Sequence, residues 1–223
     1  MPPWLILVLK GVNVADGKSY SEFALIDLLD AFASNEPVPG GGSAAALAGA
    51  LGVSLLVMAA SLSKSRTGAP EEATDLAEAA ARLRPLRDRL VELIDADSSA
   101  YRSVMAALKL PKASEQEQTR RNETLQSALR EATDAPLDVM RIAQQALTGA
   151  VIVARNAYRV AASDVAMAIE LLAAAARGAA QSIDGNLRTI TDTAYTARVK
   201  AEREQLAADA ERDAAQALKA VSG

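Results

Sequence analysis

Apolar residues recur along this chain at spacings of three and four, the period of α-helices buried along one side. Ser21 is placed to cap a first helix reaching about Ala33, with Leu25, Ile26, Leu29 and Phe32 on its apolar face. Ser43 is a good N-cap, and Ala44 to Leu62 then reads as one helix without a charge, with Gly42, Ala46, Ala50 and Ser54 giving it a small-residue ridge for close neighbours. Its length suits a membrane span. Alanine, glycine and serine dominate it, however, and no second comparable span follows, so a buried central helix is the expectation. After the Thr67–Pro70 break, a helical pattern runs from Glu71 to about Lys109, and Pro85 inside it should kink or divide it. Leu110-Pro111 ends that pattern, since the residue before a proline disfavours the helical region.

Ser114-x-x-Glu117 is a capping box for a helix to about Thr133, and Pro136 suits the first turn of another through Leu147. Residues 150–162 carry no clear signal. Ser163-Asp164 opens an alanine-rich helix to about Gln181, and Asp184-Gly185-Asn186 is either a turn or a weak place in its continuation. Thr191 to Val221 reads as a charged helix, with Arg198, Glu202 and Arg203 as solvated near-neighbour pairs. The fold class expected is all-α: a single multi-helix bundle over residues 19–223, with the Ala/Gly-rich helix central and residues 1–18 a peripheral extension. Trp4 to Leu9 is too short an apolar run to cross a bilayer.

Two features carry candidate chemistry. Pro37-Val38-Pro39-Gly40-Gly41-Gly42-Ser43 is a glycine-rich approach to a helix N-terminus, able either to hold an anion or polarised oxygen or simply to allow close packing. A dinucleotide fingerprint would need a preceding strand and a later acid, and a Walker loop would need Gly-Lys-Ser/Thr; both are rejected. The second feature is Asp97. It interrupts an apolar stripe of Leu90, Ile94, Tyr101, Val104 and Leu108, where a carboxylate is costly unless paired or placed in a pocket.

Composition narrows the chemistry. The 223 residues include neither cysteine nor histidine, which excludes disulfides, thiolate nucleophiles, Ser-His-Asp triads and ordinary zinc sites. Acid–base work falls to Asp, Glu, Lys, Tyr or bound water. A net charge of −4 and 3% aromatic residues speak against a nucleic-acid surface. No metal, nucleic-acid or membrane partner is expected.

The motifs resemble the formiminotransferase-cyclodeaminase C-terminal domain and its stand-alone relative, methenyltetrahydrofolate cyclohydrolase. The resemblance rests on Pro37-x-Pro39-Gly40-Gly41-Gly42-Ser43, Asp97-x-x-Ala100-Tyr101, Leu110-Pro111-Lys112, Ala132-Thr133-x-x-Pro136-Leu137, Ser163-Asp164, and Asn186-Leu187-x-x-Ile190-x-Asp192. Their order and spacing span about Ser19 to Glu211, nearly the whole chain. It implies an all-helical, dimer-forming, cytoplasmic enzyme of one-carbon tetrahydrofolates, with the folate as substrate and no cofactor. Because the helical domain stands alone, hydrolysis of 5,10-methenyltetrahydrofolate is favoured over formiminotetrahydrofolate cyclodeamination; a non-catalytic folate-binding protein is the reading from another class.

The resemblance makes Asp97 and Asp164 the catalytic pair, expected to meet in one pocket near the glycine turn. For substrate contacts it indicates Pro39, Gly40, Gly41, Gly42, Ser43, Tyr101 and Asn186, with Lys64, Arg66 or Lys112 pairing with the glutamate tail. The chain departs from the family in having Tyr158, Arg159 and Val160 where asparagines usually precede the Ser-Asp pair, and Ser182 where a second asparagine is common.

Overall fold

The computed structural model describes residues 19–223; the peripheral role expected for residues 1–18 lies outside them. Six helices follow one another: α1 (Leu25–Ala33), α2 (Gly41–Ala60), α3 (Pro70–Leu108), α4 (Glu115–Asn156), α5 (Ala162–Leu187) and α6 (Thr193–Ser222). Short 3₁₀ turns precede α1 and α5, and no strand occurs among the described residues.

α2 is the core, as its uncharged sequence implies: Ala46, Val53, Leu56 and Ala59 are fully buried. It runs antiparallel to α5, with Gly178 of α5 against Ala45, Ala175 near Gly49, and Ala168 and Leu172 against Gly52. A Cβ on Gly52 would lie 2.9 Å from the Ala168 carbonyl oxygen, so a side chain there would force the two helices apart. The close-packing ridge toward α5 is therefore Ala45, Gly49 and Gly52, not the row expected from Gly42 to Ser54. A second apolar window, inside α4, is also long enough to cross a membrane; both it and α2 are 61% buried.

Neither internal proline divides its helix. Pro85 lies on the exposed side of α3, and the carbonyl it leaves unbonded belongs to the exposed Ala81, where water can serve it. Pro136 is buried in the interior of α4 rather than in the first turn of a new helix. Its missing N–H frees the carbonyl of Ala132, and Asn186 Nδ2 donates to that oxygen at 2.7 Å. α4 and the end of α5 are joined at this point.

The capping box at Ser114 forms as expected, Glu117 N–H donating to Ser114 Oγ and Ser114 N–H to Glu117 Oε2. Ser21 does not cap α1, which begins after Ala24; nor does Ser43 cap α2, which begins one turn earlier after Gly40. α5 continues through Asp184–Asn186, so the weak place is helical. Arg198 and Glu202 pair at 3.9 Å as expected, while Arg141 Nε also donates to Glu202 at 2.7 Å and Arg203 Nη2 turns to Asp184 at 2.6 Å.

Candidate active site

A cavity of about 560 Å³ opens where the N-terminus of α2 meets α3, α4 and the end of α5. Gly40, Gly41 and Gly42 form one wall, with the turn before them tied down through Val38, whose carbonyl accepts from Tyr20 Oη at 3.2 Å. Arg102 backs that contact, donating to Tyr20 Oη at 3.3 Å. Tyr101, Val104 and Leu108, one and more turns beyond Asp97 on α3, line the opposite wall. The apolar stripe read from the sequence is thus core at Leu90 and Ile94 and cavity wall from Asp97 onward.

Asp97 sits at the start of α2 because Gly42 leaves room for it. A Cβ on residue 42 would fall 2.0 Å from Asp97 Oδ1, so only glycine permits this carboxylate position. Ser43 N–H donates to Oδ2 at 2.9 Å, and Ser43 Oγ lies 3.0 Å from the same atom. That hydroxyl is also 2.8 Å from Ile94 O and 3.1 Å from Ser98 Oγ, so a fully buried serine pair fixes it. No hydrogen bond among the described residues uses Oδ1. Burial raises the Asp97 pKa above the ordinary carboxylate value, and the Ser43 hydroxyl and N–H only partly oppose the rise. Burial likewise raises the Tyr101 phenol. The site therefore presents a desolvated carboxylate with one oxygen free, beside a phenol and an amide: Asn186, held by Ala132, also lines the cavity.

The other expected residues divide between this cavity and its surroundings. Pro39 belongs to the turn, its peptide bond with Val38 being cis, while Ser43 works from beneath through Asp97. Lys112 is exposed in the α3–α4 loop and is not among the lining residues. Asp164 lies in the first turn of α5, at the opposite end from Ser182 and Asn186. Antiparallel packing puts that end beside the C-terminus of α2, and the 20 residues of α2 span about 30 Å. Within one chain the two aspartates do not meet.

Lys64 and Arg66 share the far end. There a larger cavity, about 760 Å³, opens between the loop after α2, α3 and Tyr158. Arg66 is occupied with structure, its Nη2 donating to Ala154 O at 2.9 Å and its backbone N–H to Asn156 O, both at the C-terminus of α4. Lys64 is exposed, its ammonium 5.6 Å from the Tyr158 ring centroid. Sequence reasoning missed Ser98, Tyr20 and the Pro136–Ala132–Asn186 link. A proline in mid-helix with a distant asparagine was the only signal for the last.

The fold and cavity define an all-helical protein whose central helix points its N-terminus at a desolvated carboxylate. The chain belongs to the formiminotransferase-cyclodeaminase family, whose model matches residues 24–205. It is 35% identical over 182 residues to the methenyltetrahydrofolate cyclohydrolase of Methylorubrum extorquens, covering 82% of this chain and 88% of that one. To the formimidoyltransferase-cyclodeaminase of Gallus gallus it is 31% identical over 157 residues, 70% of this chain and 29% of that much longer protein. The formiminotetrahydrofolate cyclodeaminase of Thermotoga maritima has a similar structure, with a TM-score of 0.81 and 26% identity over 92% of this chain and 98% of that one.

Proposed function

We propose that the chain is a cytoplasmic, homodimeric folate one-carbon enzyme that hydrolyses 5,10-methenyltetrahydrofolate to 10-formyltetrahydrofolate. The observation that carries this reading is Asp97, whose raised pKa and unused Oδ1 belong to a carboxylate lining a cavity of folate-accommodating size. The carbon between N5 and N10 of the substrate is an amidinium-like cation. Water adds to it as Asp97 takes a proton, giving a neutral tetrahedral adduct. The bond from that carbon to N5 then breaks, N5 takes up the proton from the carboxyl group, and the hydroxyl loses its own, leaving the formyl group on N10. Substrate cation, water and product balance with one proton released. The ionised Asp97 also lowers the energy of the bound cation. A desolvated site strengthens that attraction.

The Thermotoga likeness favours a second reading, in which N10 attacks the formimino carbon and ammonia departs from it. The two are separated directly. Purified protein is expected to abolish the absorbance of methenyltetrahydrofolate well above the buffer rate and to release no ammonia from formiminotetrahydrofolate. The reverse result makes it a cyclodeaminase, and folate binding without either turnover makes it a binding protein.

A further inference from the structure

Proline is the costliest residue in a helix interior, and Pro136 is buried in the interior of α4. The carbonyl freed by Pro85 belongs to the exposed Ala81 and is left to water. The one freed by Pro136 belongs to Ala132, and it accepts from Asn186 Nδ2 at 2.7 Å beside the candidate cavity, which Ala132 and Asn186 both line. That contact settles how the Asn186 amide is turned. Only its NH₂ group can donate to a carbonyl oxygen; reversed, Oδ1 would stand against Ala132 O, acceptor to acceptor. With an N–H at residue 136, α4 would occupy that oxygen itself and the amide would lose its exclusive partner.

The end of α5 is held in place around this amide. Gln126 of α4 donates through Nε2 to Thr189 O at 3.1 Å and accepts at Oε1 from Thr191 N–H at 2.9 Å. Thr189 Oγ1 in turn donates to Asn186 O at 3.0 Å. Asn186 Oδ1 is left over: no hydrogen bond among the described residues uses it, and it is not sealed away from solvent. Asp97 Oδ1 is in the same condition. The cavity thus offers two unused accepting oxygens, one from α3 and one from α5, and no lysine or arginine is among its described lining residues. Such a site suits a ligand that brings donors to two places.

We propose that Pro136 is a positioning residue: by freeing the Ala132 carbonyl it turns the Asn186 amide so that Oδ1 accepts from the 2-amino group of the substrate's pterin ring. That amino group lies at the end of the ring system away from the carbon between N5 and N10, which Asp97 serves from the other helix. A ring with a methyl group in its place leaves Oδ1 buried without a donor, and the site discriminates against it for that reason. The amino-group contact rests on the folate reading; the coupling of Pro136 to Asn186 does not.

Two double-variant cycles test the two parts. The first reads thermal unfolding without ligand. Asn186→Leu in the wild-type background removes the donor from the Ala132 carbonyl and is expected to lower Tm by about 2–4 °C. In a Pro136→Ala background residue 136 supplies an N–H to that oxygen, and the same change should cost much less. Equal losses in both backgrounds overturn the coupling. The second compares KM for the folate that the protein turns over with KM for its 2-desamino-2-methyl analogue. Wild type should prefer the amino compound by roughly 3- to 10-fold, the scale of one neutral hydrogen bond. Asn186→Leu and Pro136→Ala should each bring that ratio toward one, and kcat for the amino compound should change less than KM. A purely structural disturbance raises both KM values together and leaves the ratio as it was. Adding Pro136→Ala to Asn186→Leu should erase no further discrimination. A ratio kept in Pro136→Ala but lost in Asn186→Leu overturns the positioning role, and a wild-type ratio of one overturns the amino-group contact while the folate reading stands. A wild-type protein that turns over neither folate removes the folate reading and the amino-group contact with it, and the melting cycle still judges the coupling.

Discussion

The two ends of α2 each hold a carboxylate at a helix N-terminus, and the two behave oppositely. Asp97, against the start of α2, has its pKa raised by burial despite two donors from Ser43. Glu72, in the first turn of α3, is lowered to about 2, chiefly by the Ser65 hydroxyl and then by the Thr67 N–H. Position at a helix N-terminus favours the charged form in both cases, so desolvation makes the difference. The acid at the surface is fully used in fastening a loop: Thr67 N–H donates to Oε2 and Thr67 Oγ1 to Oε1, each at 2.9 Å. The acid in the cavity keeps an oxygen free. Cavity size would have pointed the wrong way, since the larger space, about 760 Å³, lies at the Glu72 end.

The largest effect expected is from Asp97→Asn, which removes the base while nearly preserving shape. Turnover should fall on the order of 10²-fold or more, the usual scale for losing a general acid–base group. Stability should not fall with it. A carboxyl whose folded pKa is raised binds its proton more tightly in the folded state. The Asp97 contribution to stability is therefore fully present below the unfolded aspartate pKa, about 3.9, and is lost as pH rises through the raised folded value. Asp97→Asn abolishes that decline, so its Tm at neutral pH should equal or exceed the wild type's. A large Tm loss would show that Asp97 is structural and would erase the contrast with Glu72.

How much of this contrast was legible beforehand follows from the range of the interactions. Asp97 stood out because a charge broke an apolar stripe, a signal within one helix. Its partner Ser43 was visible only as a supposed cap, because nothing local says that a serine one turn into α2 bonds across to α3. The helices themselves were legible from their period, except where proline overrode it: Pro136 looked like a start, and only Asn186, fifty residues on, makes it tolerable inside α4. The α1 face read as apolar is largely uncovered, Leu25, Ile26 and Leu29 being 71%, 64% and 50% exposed; periodicity identifies an apolar face without saying what covers it. Asp164 was assigned to the Asp97 pocket on family resemblance, and the antiparallel course of α5 along α2, a long-range property, carries it to the other end.

A smaller effect is expected from Gly42→Ala. The new Cβ would meet Asp97 Oδ1 at 2.0 Å, so the carboxylate must move or the start of α2 must shift away from α3. Overpacking of this kind costs about 1–3 kcal/mol. Activity should fall in the same direction as in Asp97→Asn but by less, since the base is displaced rather than lost. Thermal unfolding and kcat measured together distinguish this from the aspartate variant: here both decline, there only turnover does. Gly41→Ala is the internal control for the stability change, because a Cβ at that position meets nothing within 4 Å.

The smallest effect belongs to the other end. Glu72→Gln keeps one acceptor for Thr67 but removes the charge that favours the two backbone and hydroxyl donors together. The sign is opposite to that for Asp97: a carboxyl with a lowered folded pKa contributes stability above its unfolded value, 4.5, and loses it as pH falls toward about 2. At pH 7 the variant should melt slightly below wild type, by no more than a few degrees, because the group lies at the surface where solvent screens it. Near pH 2 the two proteins should converge. Methenyltetrahydrofolate turnover should be unchanged in the same preparation, since Glu72 is not among the residues lining the candidate cavity. A turnover loss as large as that of Asp97→Asn would mean that the loop held by Glu72 shapes the catalytic site, and the two ends of α2 would then have to be read as one.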